Sequence, residues 1–316
     1  PDFQRHDVWK QRQKSELIES ILMGIPIPLM YLFEDKNGKK QVVDGRQRIS
    51  AILDFLEGKF KLNNLRILKQ FNGCCFADLD LKQQGVIEDF QLLFYIIQPP
   101  TPERVKYDIF DRVNRGGTPL NKQEMRNALY RGRCTRMLDK LCCSPEFLIA
   151  TGRSINKERM KDQYVVLRAM AFLMLHRGEF KDIPALQYRG DIDDFLARFM
   201  VYVNDNAPEK LIVDYENLFI RCMQISYDLL GENGFRFSGN GIRRPINMPL
   251  FEALSYLFSF VPEKIDYTWA SRLILDIESV KEEFDDSRYF SGNIDSTTSV
   301  SFRFDRMDKI INRIQL

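Results

Sequence analysis

Pro99, Pro100 and Pro102 separate two stretches of this chain that have different apolar patterns. Proline cannot donate to a sheet ladder, and it pulls the residue before it out of the helical region, so no regular element runs through such a cluster. Upstream, short apolar runs are punctuated by turn signals; downstream, apolar residues recur at helical spacing over long stretches. The expected fold class is therefore α+β, with a small mixed-sheet N-terminal domain over residues 1–103 and an all-helical domain over residues 104–316.

In the first part, Ser15 is placed to cap a helix through Leu17, Ile18, Ile21 and Leu22 that stops at Gly24. Ile25-Pro26-Ile27-Pro28 is extended and feeds a strand over Leu29 to Phe33. Asn37-Gly38 supplies the positive φ angles of a tight hairpin, so this strand should pair antiparallel with Lys40 to Val43. Phe60 to Leu62, Cys74 to Phe76 and Leu92 to Ile97 read as further strands, and Lys82 to Asp89 as a short helix.

In the second part, Glu103 to Val113 has helical periodicity, and Asn121 with Glu124 forms a capping box that opens a helix through Leu129. Further helices are expected over Asp162 to Leu175, Ile192 to Val203, Tyr215 to Leu230, Pro249 to Phe260 and Trp269 to Phe284. Ser291 to Ser301 reads as a loop before a last helix from Asp305.

The polar groups hardest to explain by folding alone lie in Asp44-Gly45-Arg46-Gln47-Arg48, where a strand turns into a helix carrying Ile49, Ile52, Leu53 and Leu56. The first N–H groups of a helix have no internal partner and the aligned dipoles make that end partly positive, so Arg46 and Arg48 have the wrong sign there. A bound phosphate would repair the mismatch, with Gly45 giving close backbone access and Asp44 holding a Mg²⁺ shared with phosphate oxygens or orienting a water. The alternative is that Asp44 caps the helix and pairs with Arg46 or Arg48. A second polar concentration, Asn114-Arg115-Gly116-Gly117, offers an amide and close backbone approach, or serves only as a helix–helix turn.

Residue supply sets several chemistries aside. With His6 and His176 as the only histidines, paired-histidine metal sites and His-Asn-His nucleases lack material, and His176 reads as a helix-end residue. Neither GxSxG nor GxxxxGK[ST] occurs. The acidic clusters Asp191-Asp193-Asp194 and Glu282-Glu283-Asp285-Asp286 are open to metal binding or to service as solvated helix ends. Six cysteines without CxxC spacing suggest reduced core thiols. No apolar run is long enough for a membrane span and the first residues lack a signal-peptide pattern, so a cytoplasmic protein without a membrane partner is expected; a start at Pro1 also suggests trimming. Net charge is +2, but Pro102 to Arg136 holds nine Lys/Arg against four Asp/Glu. That strip, continued by Arg153, Lys157, Arg159 and Lys161, is either a DNA-phosphate footprint or a solvated helix face.

At Asp44 to Arg48 the chain resembles the N-terminal domain family of GmrSD-type restriction endonucleases, whose signature is Asp-Gly-Gln-Gln-Arg and whose core is similar to ParB and sulfiredoxin. Phe3-Gln4-Arg5 with Trp9, the run Ser15 to Pro28, and Asn114 to Arg126 are similar to other family segments, and the likeness covers roughly the first 130 positions. The resemblance implies binding, and in some members hydrolysis, of NTP with Mg²⁺, coupled to DNA restriction or anti-phage defence. Carried over by position, Asp44, Gln47 and Arg48 are the expected catalytic residues, and Asp44 the metal ligand. Gln4, Arg5, Gly45, Arg46, Arg48, Asn114, Gly116 and Gly117 are the expected nucleotide-binding residues, around a cleft between Asp44–Arg48 and Asn114–Gly117. Arg46 departs from the family's usual Gln, which suits phosphate and leaves hydrolysis less certain than binding. The HNH nuclease domain of many relatives is missing from the sequence, so cutting is expected from a separate nuclease subunit or a missing segment. Rival readings are a non-catalytic DNA-binding or protein-interaction module and a stand-alone DNA nuclease.

Overall fold

The computed structural model describes residues 9–34, 38–98, 121–238, 243–262, 264 and 266–314. It comprises two compact units, Pro1–Leu120 and Asn121–Leu316. The boundary expected between residues 103 and 104, and the helix expected over Glu103 to Val113, lie outside the described residues. The α+β class holds: a three-stranded mixed sheet in the first part of the chain is followed by helices.

In the first unit, α1 (Gln11–Leu22) precedes the hairpin β1 (Met30–Glu34) and β2 (Lys40–Asp44), and α2 (Arg46–Leu56) follows β2 after one residue. Later come α3 (Leu81–Glu88) and β3 (Phe94–Ile97). β1 is central, antiparallel to β2 as expected and parallel to β3, with an irregularity between Tyr31 and Leu32. Leu17, Ile18 and Ile21 of α1 pack with Ala51, Ile52 and Phe55 of α2, and Leu62, Leu65, Leu79 and Ile87 close the core.

Several local expectations are corrected. α1 starts a turn before Ser15, where the Gln13 side chain accepts from the Lys10 N–H at 3.0 Å. Ser15 is buried, and its hydroxyl accepts from the Asn63 N–H at 3.1 Å instead of capping. Phe60 to Leu62 and Cys74 to Phe76 are not strands; the segments exchange only the bonds Leu62 N–H to Cys74 carbonyl, 2.9 Å, and Gly73 N–H to Leu62 carbonyl, 2.7 Å. Their apolar residues plug the core without building a ladder.

Glu19 shows how much of α1 is scaffolding. Its carboxylate accepts from the N–H groups of Arg66, Ile67 and Leu68 at 3.3, 2.8 and 2.8 Å, pinning the chain as it leaves the core. Burial pushes the Glu19 pKa up, but the bonds from Leu68, Ile67 and Arg66, with the Arg66 charge, outweigh it and hold it below the ordinary 4.5. A carboxyl depressed on folding stabilises the protein above its unfolded pKa and loses that contribution as pH falls through the folded value. Glu19→Gln should therefore lower stability to urea at pH 7 and flatten the acid limb between about pH 5 and 3. Superimposable acid limbs for variant and wild type would show that this carboxylate carries no such linkage.

The second unit is helical throughout its described residues: α4 (Lys122–Leu129), α5 (Arg133–Cys142), α6 (Pro145–Ala150), α7 (Lys161–His176), α8 (Ile192–Asp205), α9 (Glu209–Leu230), α10 (Met248–Phe258), α11 (Tyr267–Asp285) and α12 (Thr297–Ile314). The Asn121/Glu124 box caps α4 as expected. α5 and α6 were not anticipated from the sequence. α12 begins eight residues before Asp305, where the Ser296 hydroxyl accepts from the Ser299 N–H at 3.1 Å, so the Ser/Thr-rich stretch is partly a helix start.

α7 and α10 are the core helices, buried on every side from Val165 to Met174 and from Pro249 to Phe258. Charges nevertheless meet between them. Arg168 and Arg303 both donate to the carboxylate of Glu252, all three at most 1% exposed, and Arg168 also reaches Asp295 at 2.6 Å. His176 ends α7 as expected; its ring stacks on Phe304 at 3.6 Å, and burial, then the Arg303 charge, lower its pKa to about 3. Of the free cysteines, Cys134, Cys142 and Cys222 are core thiols, Cys74 and Cys75 are half-buried, and Cys143 is exposed.

Candidate functional site

β2 delivers Asp44 directly to Gly45, whose φ of +96° turns the strand into α2. That backbone is strained for a residue with a Cβ, and a Cβ at Gly45 would stand 2.3 Å from Met30 Cγ. The close approach that glycine allows is therefore to Met30 at the start of β1. No side chain caps α2 and its first turn holds no acid, so Asp44 does not cap the helix.

The Arg48 guanidinium instead lies 2.5 Å from the Asp44 carboxylate, and its other nitrogen donates to the Pro28 carbonyl. Arg48 thus fastens the end of β2 to the extended Pro28 segment, as the ion-pair alternative anticipated. The Gln47 amide oxygen accepts from the Trp9 N–H at 3.2 Å, tying the start of α2 to the chain two residues before α1. Arg46 is half-exposed in the same first turn. The junction brings Asp44, Gly45, Arg46, Gln47 and Arg48 into one turn; Gln4, Arg5, Asn114, Gly116 and Gly117 lie outside the described residues.

A Mg²⁺ ion at Asp44 fits the habit of that cation, which takes one or two carboxylates and fills its shell with phosphate oxygens and water. It does not fit a site made by protein alone: among the described residues no three His, Cys, Asp or Glu side chains group to hold a metal. The acidic clusters serve the helices. Asp191 caps α8 by accepting from the N–H groups of Asp193 and Asp194, Asp193 pairs with Lys122 and Arg126, and Asp194 pairs with Arg198. Glu283 and Asp285 pair with Arg306 and Arg244.

The basic strip divides in the same way. Arg126 is fully buried on Asp193, Arg133 donates to the carbonyls of Val203 and Ala207, and Arg159 pairs with Glu124 at 3.2 Å. Arg131, Arg136, Arg153 and Lys157 are exposed. Lys122, Arg159 and Lys161 are exposed as well, while Arg104, Lys106, Arg112 and Arg115 lie outside the described residues.

No helix among the described residues is long and apolar enough to cross a membrane. Neither curated proteins nor solved structures give a match to the chain. Residues 1–131, which include the hairpin, the left-handed Gly45 and the Arg48 clamp, match the model of the family described as GmrSD restriction endonuclease, N-terminal domain.

Proposed function

We propose that the first unit binds a nucleoside triphosphate by its phosphates at the start of α2, as the regulatory component of a restriction or anti-phage system whose cutting residues lie on a separate subunit or segment. One observation carries this reading: α2 begins at a left-handed glycine with no side-chain cap, and its first turn holds Arg46 and Arg48 without an acid. Such a helix start favours an anion, and arginine forks match phosphate oxygens. Arg46 is assigned to the phosphates, Arg48 to holding the turn and completing the positive field, and Asp44 to Mg²⁺ carried by the nucleotide. Gln47 and Asp44 are assigned to orient a water, whose attack on the γ-phosphorus would break the β–γ P–O bond and release NDP and phosphate. The restriction setting follows from the family's name.

A second reading has its own support. Arg48 is committed to Asp44 and the Pro28 carbonyl, which favours a turn kept as scaffold in a DNA-binding or partner-binding module. The readings part in a thermal-shift and calorimetry screen of the four common NTPs with and without Mg²⁺. At a free concentration about 100 times Kd, a bound NTP should stabilise the protein by about 2.7 kcal/mol, while a nucleoside should not. Arg46→Ala should weaken binding by about tenfold or more. If no NTP shifts melting or releases heat, the phosphate site is wrong. Mobility shifts of DNA at two salt concentrations supply the second arm: a regulatory NTPase changes its DNA binding when NTP is added, whereas a simple binding module does not.

A further inference from the structure

The second unit contains a cavity of about 710 Å³ between the end of α9, the turn that follows it and α11. Arg236, Arg243, Arg244 and Lys281 line it together with Glu232 and Glu278, an excess of two positive charges among these side chains. We propose that this cavity is a binding site for a small ligand carrying a phosphate ester or pyrophosphate, separate from the start of α2.

Arg236 carries the argument. It is 4% exposed, and its guanidinium donates to the carbonyls of Glu232 and Thr151, both at 3.2 Å, to the Arg244 carbonyl and to the Ser154 hydroxyl. These acceptors satisfy its hydrogen bonds but, being neutral, do not cancel its charge. Burial, then the nearby Arg243 cation, lower its pKa against the opposing Glu232 carboxylate; the guanidinium stays cationic, and an anion in the cavity would offset its charge. Lys281, also 4% exposed, adds a second buried cation, shared between Glu278 at 2.8 Å and the Asn233 carbonyl at 3.3 Å.

The mouth has a different character. Arg243 pairs with Glu232 at 2.6 Å and Arg244 with Asp285, in pairs whose side chains are 33–51% exposed. Pairs so wet are worth little, and they can give way to a ligand. The Arg244 guanidinium lies 5.4 Å from the Phe237 ring centroid and donates to the Asp285 carboxylate and, at 3.3 Å, to the Ser238 carbonyl. Guanidinium forks favour phosphate geometry, and a phosphate ester's charge of about −1.5 to −2 has the sign that complements these cations. The volume also suits a small ligand, whose pockets are typically about 300–1,000 Å³.

The test is calorimetry of the full chain with pyrophosphate and with inorganic phosphate, in an Arg46→Ala background that weakens any site at α2. Pyrophosphate should bind. Arg243→Ala with Arg244→Ala should weaken it about a hundredfold, while leaving the melting temperature nearly unchanged because both side chains stand at the exposed mouth. Glu232→Gln should tighten binding severalfold by releasing Arg243 from its competitor, a gain that damage to the fold would not produce. The proposal fails if the parent releases no heat at millimolar pyrophosphate, or if both variants bind like the parent. It fails equally if a short single-stranded oligonucleotide binds through Arg243 and Arg244 while pyrophosphate and phosphate do not, since the site would then belong to a nucleic-acid strand.

Discussion

Glu252→Ala is expected to cost the helical unit about 3–5 kcal/mol, enough to remove a large part of the stability of an ordinary domain. The carboxylate is fully buried and serves Arg168 and Arg303 together, so alanine would leave two guanidiniums in the apolar core, with Asp295 still paired to Arg168. Burial opposes the charge of Arg168, and the attraction of Glu252 then drives its pKa well above the ordinary value, so the pair depends on both members. Chemical denaturation followed by circular dichroism reads the loss. Changing Glu252, Arg168 and Arg303 together to methionine should recover most of it, because apolar replacement of a whole buried ion triad is often neutral or stabilising. An alanine variant as stable as wild type would mean that both guanidiniums reach water by local rearrangement, and that the network does not hold the core.

Gly45→Val should be nearly as damaging to the first unit. A β-branched residue at a φ of +96° carries strain of about 1–2 kcal/mol, and its Cβ would drive into Met30, at 2.3 Å from Cγ, adding about 1–3 kcal/mol of overpacking. The contributions separate in a cycle of Gly45→Ala with Met30→Ala. Met30→Ala removes the contacts with Cγ and Sδ, at 2.3 and 2.6 Å, and leaves the Cβ contact at 2.9 Å and the backbone strain, so the double variant should cost less than the sum of the singles. Strict additivity would show that the Met30 contact does not limit this position. Any loss of nucleotide binding in Gly45→Ala must accordingly be measured against the stability it loses.

The parts of the fold that were legible before the structure are those specified by neighbours in the chain. Lys40 to Asp44 pairs with Met30 to Glu34 much as a local hairpin signal says it should, and Asn121 with Glu124 forms its box from residues three apart. α7 was also readable, because a run from Val165 to Met174 that is apolar around Arg168 can only be a core helix at that length. What escaped depends on partners distant in sequence. Ser15 looks like a cap until Asn63 is placed beside it, and Arg48 looks like an idle cation until the Pro28 carbonyl is found at its other end. The same reason hid the α11 cavity: Arg236, the adjacent Arg243 and Arg244, and Lys281 are spread over a stretch with no motif, and only the fold gathers them. Within the likeness to the GmrSD family, Ser15, Glu19, Glu124 and Arg126 all prove to hold up the scaffold. Family motifs therefore mix residues that make the frame with residues that use it.

The mixed sheet gives Met30 a position with an entropic consequence. The hairpin between β1 and β2 closes a short loop, whereas β3 reaches β1 only after the chain has passed through α2 and α3, pairing Phe94 with Met30 and Leu93 with the Met30 N–H. The cost of closing the longer loop falls on the parallel pair. Met30 is also the residue against which Gly45 is packed. The start of α2, although its own residues are contiguous, thus rests on a side chain held by the most distant contact of the sheet, and its order is bound to the completion of the whole unit.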